Sequence, residues 1–352
     1  MCTASETAFF TVYPRCHRCN LPRVSTPNRE FLAEALRHPL DHTEFDWGKR
    51  YEGKVRDNYS TTDGRRVIVV TDRISAFDRI LGTLPLKGQL LNYVSNWWFE
   101  TTRDVADNHV LGSPDPNVLV ARECQPLPVE MVVRAYLTGT TSTSIWVHYA
   151  RGERVFCGHS LPDGLKQHQA LPTPIITPST KAEKGGHDVS ASREEILRIS
   201  GMPAADFDRA AELALGLFQR GREVCAQRGL ILVDTKYEFG RTPDGNIVVI
   251  DEIHTPDSSR FWYAHSYEER LAQGEAPESL DKEYLRRYLA ERGFTGDGPI
   301  PPIPDEIRIE AARRYLEAVE RITGAPFVPN LEEPLARMQR NVSQYLAGSK
   351  SS

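Results

Sequence analysis

No run in the 352 residues approaches the roughly 20 apolar residues that a membrane-spanning helix needs, and 247–250 has the length of an interior strand. Positive charge is not in surplus either. The formal charge of −5 gives no support for nucleic-acid binding, so any anion site must be a local cluster of Lys and Arg. The six cysteines, at 2, 16, 19, 124, 157 and 225, are too few and too scattered for a disulfide framework and suit a reducing cytosol. Cys16-His-Arg-Cys19 resembles half of a zinc site, but the second Cys or His pair is missing. There is no Walker loop, since Val55 stands where Gly-x-x-x-x-Gly-Lys-[Ser/Thr] needs a hydroxyl after Lys54, and there is no internal repeat. What remains, 40% hydrophobic and 26% charged residues, is an ordinary soluble composition, long enough for two lobes sharing a cleft.

The chain is organised around Ile231-Leu-Val-Asp-Thr-Lys-Tyr-Glu-Phe-Gly240 and Ile247-Val-Val-Ile-Asp-Glu-Ile253, which flank Thr242-Pro-Asp-Gly-Asn246. Asp-Gly between two β-branched runs predicts a hairpin. A two-residue turn at Asp244-Gly245 sets Glu238 opposite Asp251, with Leu232, Asp234 and Lys236 on the same face. Opposed carboxylates repel and resist joint ionisation. A hard divalent cation, Mg²⁺ above all, turns that repulsion into a site when substrate phosphates complete it, and Lys236 is placed to hold an anion beside it. The same residues also read as a solvated, charge-decorated hairpin face. Pro243, beside the turn, is able to shift the register by one and separate the pair.

Residues 1–28 have no period. Arg15, Arg18 and Arg23 face one acid, Glu6, which leaves a weak transit-peptide flavour beside the reading of an untidy extension or misassigned start. Helical spacing begins with Phe31, Leu32, Ala35 and Leu36. Residues 50–59 and 66–71 read as a second hairpin whose first strand carries Gly53-Lys54-Val55-Arg56, with Lys54 and Arg56 on one face as a phosphate-binding candidate. An amphipathic helix covers 86–99, its Trp97 and Trp98 being core residues. Residues 108–117 are the candidate lobe boundary. Residues 127–136 form a buried strand carrying Arg134, followed by a hydroxyl-rich loop with Thr138, Gly139, Thr140 and Ser142 before a helix at 145–150. That loop reads as an anion cradle or as a simple N-cap. Residues 161–186 are Pro-rich and irregular; with Lys181 and Asp188 they suggest a loop facing the substrate. Ser192 caps a helix, and 203–228 forms a longer one. Residues 254–262 form a polar turn with Ser259 and Arg260, a second phosphate cradle. Helices at 284–291, 304–323 and 331–346 complete the body.

With these pieces located, the chain resembles the SAICAR synthetase family (phosphoribosylaminoimidazole-succinocarboxamide synthases) from about Gly53 to Trp262. The motifs that carry the resemblance are Gly53-Lys-Val-Arg-Asp57, Leu127-Pro-Val-Glu-Met-Val-Val-Arg134 with Thr138-Gly139, Thr177-Pro-Ser-Thr-Lys181, Asp234-Thr-Lys-Tyr-Glu-Phe-Gly240 and Asp251-Glu-Ile with Pro256-Asp-Ser-Ser-Arg260. One departure is Thr140, where the family often has Ser after Thr-Gly. The resemblance implies an α+β, two-lobed fold: an extension at 1–28, an ATP-binding lobe at 29–117, a substrate- and metal-binding lobe at 118–300 and C-terminal helices at 301–352. It implies a cytoplasmic ligase, monomeric or homodimeric, that joins L-aspartate to the carboxylate of an aminoimidazole ribotide (CAIR) with ATP and Mg²⁺. Glu238 and Asp251 would hold the metal, and Gly53, Lys54, Val55 and Arg56 the ATP phosphates. Arg134, Thr138, Gly139, Thr140, Ser142, Ser259 and Arg260 would hold the ribotide. Lys236 would neutralise the reacting carboxylate with Asp234 orienting it, and Lys181 and Asp188 would lie on a closing loop. The rival reading is an inositol-polyphosphate kinase, whose Asp-x-Lys-x-Gly signature looks like a shortened Asp234-Thr-Lys236; a third is a nucleotide-binding module without catalysis.

Overall fold

Short apolar alternations in the first third and long periodic helices in the last divide this α+β chain into sheets and covering helices. The computed structural model describes residues 29–141, 144–181 and 189–348. Helix α1 (Arg29–Ala35) leads to β1 (Lys49–Glu52), β2 (Arg56–Ser60), β3 (Arg65–Val70), β4 (Arg73–Ala76), β5 (Arg79–Thr83) and α2 (Lys87–Thr101). Then come β6 (Val110–Asp115), β7 (Val118–Arg122), β8 (Gln125–Tyr136), α3 (Ile145–Ala150), β9 (Val155–Phe156), β10 (His159–Ser160), β11 (Ala170–Ile176) and β12 (Ser179–Thr180). Helices α4 (Arg193–Ser200) and α5 (Ala204–Gln227) precede β13 (Leu230–Arg241), β14 (Ile247–Ile250) and β15 (Ser259–Tyr263). The chain closes with α6 (Ala264–Gln273), α7 (Glu283–Ala290), α8 (Asp305–Thr323) and α9 (Pro334–Gly348).

One sheet has the order β1-β2-β3-β7-β6. The other runs β11-β8-β13-β14, with β12 also on β8 and β15 also on β13. Ile68, Val70, Leu90, Trp98, Leu217, Tyr237, Phe239 and Tyr315 belong to one contiguous buried cluster. The outer side of the first sheet has its own core, where Trp47, Tyr59, Val67 and Val120 meet Met338 and Val342 of α9. Arg337, 1% exposed, pins α9 there by a bidentate contact to fully buried Asp115 at 2.9 and 3.1 Å. The cap expected at Ser192 is a full capping box with Glu195.

Four expectations change. Residues 50–59 are not one strand: the chain turns at Lys54 and Val55, closed by Gly53 N–H donating to Arg56 O at 2.8 Å, so β1 and β2 pair with each other. Lys54 and Arg56 therefore do not share a face. Residues 161–186 are not wholly irregular, since β11 and β12 form there as an edge on β8. Proline is tolerated on an edge, which is why Pro172 and Pro174 sit inside a strand. Residues 259–263, expected to continue a turn, form β15 against β13. The candidate boundary at 108–117 contains β6, which pairs with β7. Among the described residues no helix is long and apolar enough to cross a membrane.

Candidate active site

β13 positions most of the charged side chains, and its register differs from the expected one. Pro243 takes the second place of a turn closed by Gly245 N–H on Thr242 O at 2.9 Å, and Gly245 is left-handed at φ +91°. Proline favours that place and glycine the left-handed one, so the loop is three residues long rather than two. Glu238 consequently lies opposite Ile250, not Asp251. Asp251 sits just past β14 at φ +70°. A bulge between Leu232 and Asp234 also switches the alternation of β13. Leu232 turns to α5, close to Gly221 and His254, while Asp234, Lys236 and Glu238 occupy the opposite face.

On that face the like charges do meet, through another pair. Glu238 lies directly opposite Glu130 of β8. Lys236 Nζ bridges them, 2.7 Å from Glu130 Oε1 and 2.8 Å from Glu238 Oε1. Lys181 Nζ takes the other Glu238 oxygen at 2.6 Å. From the first sheet, Arg56 reaches Asp251 at 2.8 Å and Glu252 at 2.6 Å. Burial favours a neutral Glu238, but Lys236 and Lys181 outweigh it and hold the carboxyl well below its usual range. Burial pushes Asp251 up to about 6 against the pull of Arg56, and the Glu238 charge adds to the rise. The two carboxylates thus interact electrostatically although the register does not oppose them. A charge pair that resists joint ionisation suits a divalent cation. No group of three or more metal-ligating side chains exists among the described residues.

The other end of the face is built from arginine. Asp234, opposite both Arg134 and Arg260 in register, accepts from Arg134 at 3.1 Å and Arg260 at 2.5 Å on one oxygen. Arg134 Nε also donates to Thr177 Oγ1 at 2.8 Å. The loop after β8 passes close: a Cβ on Gly139, at φ +107°, would lie 2.5 Å from Ser144 Cβ and 3.6 Å from the Arg260 guanidinium, so the approach requires glycine. Thr138 Oγ1 contacts His168 at 2.9 Å, and Thr140 Oγ1 lies 3.5 Å from Glu283. Ser142 and Asp188 fall outside the described residues.

Two expected residues stand apart. Ser259, 5% exposed, faces the opposite side from Arg260, its hydroxyl 2.7 Å from that of Thr235. Adjacent strand residues point to opposite faces, so Ser259 and Arg260 do not act on one group. Lys54, on the turn with Gly53 and Val55, is exposed and pairs with Asp78 at 2.5 Å. Sequence reasoning passed over Glu130, although its spacing of four from Arg134 on one strand was readable. It also missed a buried knot behind Glu252, in which Asp257 holds fully buried Lys87 at 2.8 Å and the Tyr315 hydroxyl at 2.6 Å. Lys87 and Asp257 are 170 residues apart in sequence, so no local pattern announces that pair.

Residues 49–299 match the family model described as SAICAR synthetase. A putative phosphoribosylaminoimidazole-succinocarboxamide synthase 2 of Mesorhizobium japonicum is 52% identical over 84% of this chain and 95% of its own length. The chloroplastic phosphoribosylaminoimidazole-succinocarboxamide synthase of Arabidopsis thaliana is 49% identical over 85% of this chain and 72% of its own. Among solved structures, the Saccharomyces cerevisiae SAICAR synthase complexed with SAICAR superposes with a TM-score of 0.70 at 32% identity, covering 82% of this chain and all of that one. With the motif residues Arg134, Asp234, Lys236, Glu238 and Arg260 gathered on one face and these relatives matched over most of their length, the chain belongs to the SAICAR synthetase family.

Proposed function

We propose that this chain is the ATP-dependent ligase that joins L-aspartate to the carboxylate of CAIR, giving SAICAR, ADP and phosphate in purine biosynthesis. The observation that carries this reading is the arrangement on β13, where an arginine-held carboxylate and a lysine-bridged carboxylate pair share one face. A carboxylate is a poor electrophile, so its oxygen first bonds to the γ-phosphorus of ATP as the bond from that phosphorus to ADP breaks, leaving an acyl phosphate for the amine to attack. The aspartate nitrogen then forms the C–N bond, phosphate departs with the C–O bond, and the nitrogen loses a proton. Such chemistry depends on positioning and charge neutralisation, and the face supplies both.

Arg134 and Arg260, locked by Asp234 and Thr177, hold the ribotide's anionic groups, with Thr138, Gly139 and Thr140 against them. Lys236 neutralises charge at the reacting carboxylate. Glu238 and Asp251 are the groups that would hold Mg²⁺, which when bound offsets the charge of the nucleotide phosphates. Arg56 fixes the Asp251 carboxylate, and Lys54 on its turn receives phosphate oxygens. Lys181 leads into the segment that carries Asp188. The division into an ATP-binding lobe at 29–117 and a substrate- and metal-binding lobe at 118–300 is part of this reading, and Arg56 reaching Asp251 from the first sheet supports a site between them. A cytoplasmic location agrees with the free thiols of Cys124, Cys157 and Cys225.

The test is ADP release with ATP, Mg²⁺ and CAIR, with and without L-aspartate. Release matched by succinocarboxamide product, and only with aspartate, is expected. Release without aspartate and without that product would overturn the ligase in favour of a phosphotransferase.

A further inference from the structure

The turn between β1 and β2 is gripped from beneath by a residue that no motif singled out. Arg73 donates from one guanidinium nitrogen to Gly53 O and from Nε to Lys54 O, both at 3.1 Å. Val55 O accepts from the Thr71 amide at 3.1 Å and its hydroxyl at 2.9 Å. All three carbonyls of the turn are thereby committed to the segment that opens β4. The remaining Arg73 nitrogen donates to Asp41 O, and the guanidinium is ion-paired with Asp57 at 2.7 Å. Asp57 is fully buried, and its second oxygen takes the Thr43 amide at 3.0 Å and hydroxyl at 2.7 Å. Arg73 itself is 5% exposed. A planar guanidinium is the side chain able to reach two neighbouring carbonyls and a carboxylate at once, whereas a lysine is a point charge.

The consequence lies on the other side of the same peptide groups. With their carbonyls drawn inward, the amides of Lys54 and Val55 find no acceptor among the described residues. Two successive free N–H groups beside an exposed ammonium are what an oxyanion accepts. Asp78, at the tip of the β4–β5 hairpin, meets that ammonium at 2.5 Å. Phe77 and Asp78 form this tip at φ +52° and +58°, a conformation costly for both residues, and Phe77 packs edge-on against Phe294. The segment that grips the turn from below therefore also supplies, seven residues after Thr71, the carboxylate that stands where a phosphate oxygen would.

We propose that Arg73 is a positioning residue for nucleotide binding: by fixing the Gly53 and Lys54 carbonyls it presents the Lys54 and Val55 amides and the Lys54 ammonium to the nucleotide phosphates. The proposal rests on the reading of this turn as the ATP phosphate site, and the experiment separates the two. ADP affinity is measured by titration calorimetry on the full chain for Lys54→Ala, Arg73→Lys and Asp57→Asn, with thermal unfolding alongside. Arg73→Lys keeps the ion pair with Asp57 but cannot span both carbonyls. It is expected to weaken ADP binding 10–100-fold and raise the ATP KM, with the CAIR KM within twofold of wild type. Asp57→Asn keeps the carbonyl contacts and is expected to lower the melting temperature while leaving ADP affinity within threefold. Saturating ADP should slow amide exchange at Lys54 and Val55 in the wild type and much less in Arg73→Lys. Unchanged ADP affinity in Lys54→Ala would overturn the phosphate reading of the turn. Weakened binding in Lys54→Ala with normal binding in Arg73→Lys would overturn the role of Arg73 alone. Parallel losses of affinity and stability in Arg73→Lys and Asp57→Asn, or failure of Arg73→Lys to fold, would reduce Arg73 to a structural part.

Discussion

The two ends of one strand face carry opposite surpluses of charge. At Asp234, one carboxylate is shared by the guanidiniums of Arg134 and Arg260. Four residues on, about 13 Å away, the carboxylates of Glu130, Glu238, Asp251 and Glu252 outnumber Lys181, Lys236 and Arg56 in direct contact with them. The first end draws an anion and the second a cation, and both are rigid because each charge already has a partner. The difference teaches that this face is organised by local charge balance, and under the proposed function a phosphorylated ring acid would lie with its anionic groups at one end and its reacting carboxylate toward the other.

The comparison breaks most clearly at the carboxylate-rich end. Glu238→Gln is expected to lower kcat/KM at least a thousandfold, about 4 kcal/mol of transition-state stabilisation, at every Mg²⁺ concentration tested, with an unchanged circular dichroism spectrum. Near-normal turnover would remove Glu238 as a metal ligand. At the opposite end, Arg260→Met should raise the CAIR KM about 30–100-fold, equivalent to about 2–3 kcal/mol, and leave ADP affinity alone. An equal loss of ADP affinity would mean that the two ends are one site.

Acid should distinguish the ends next. His254 anchors the turn after Asp251 from within the core, bonded to the Tyr237 hydroxyl, and burial pushes its imidazole down to about 3 from 6.5. Between those values the unfolded chain binds a proton that the folded chain refuses. Stability from this group is therefore complete above pH 6.5 and is lost as pH falls toward 3, by up to about 1.4 kcal/mol per pH unit. Denaturant titrations at pH 5, 6 and 7 should show this slope in the wild type and a slope smaller by one proton in His254→Leu. An identical slope in both would mean that the histidine takes up its proton without unfolding. The smallest effect belongs to Ser259→Ala. With its hydroxyl turned to Thr235, the change is expected to cost about 1 kcal/mol of stability and to move the CAIR KM less than threefold; a tenfold rise would return Ser259 to the ribotide.

Helices were the most legible part of the fold, because caps and periodicity are local. The 145–150 helix, the Ser192 capping box and the long helix before β13 follow directly from their residues. Sheets depend on partners far along the chain, and there the reading slipped by single residues. Asp244-Gly245 signals a hairpin, but Pro243 decides its loop length and so the partner of Glu238. The bulge that turns Leu232 away from Asp234 has no sequence signature in Ile231-Leu-Val-Asp234. At the candidate site, Lys236, Glu238 and Asp234 were brought to one face by alternation alone. Arg56 on Asp251 required two sheets to meet, and the Lys87–Asp257 contact required a helix from the first third of the chain, so neither was readable from spacing.

The Arg337–Asp115 lock carries a consequence for how the chain is made. The outer core of the first sheet needs Met338 and Val342, which follow Val67 by more than 270 residues. At ordinary rates of synthesis, Trp47, Tyr59, Val67 and Val120 wait on the order of tens of seconds for their cover. During translation the nascent chain thus displays a greasy, half-finished sheet, which makes the earliest-made strands the last to be sealed.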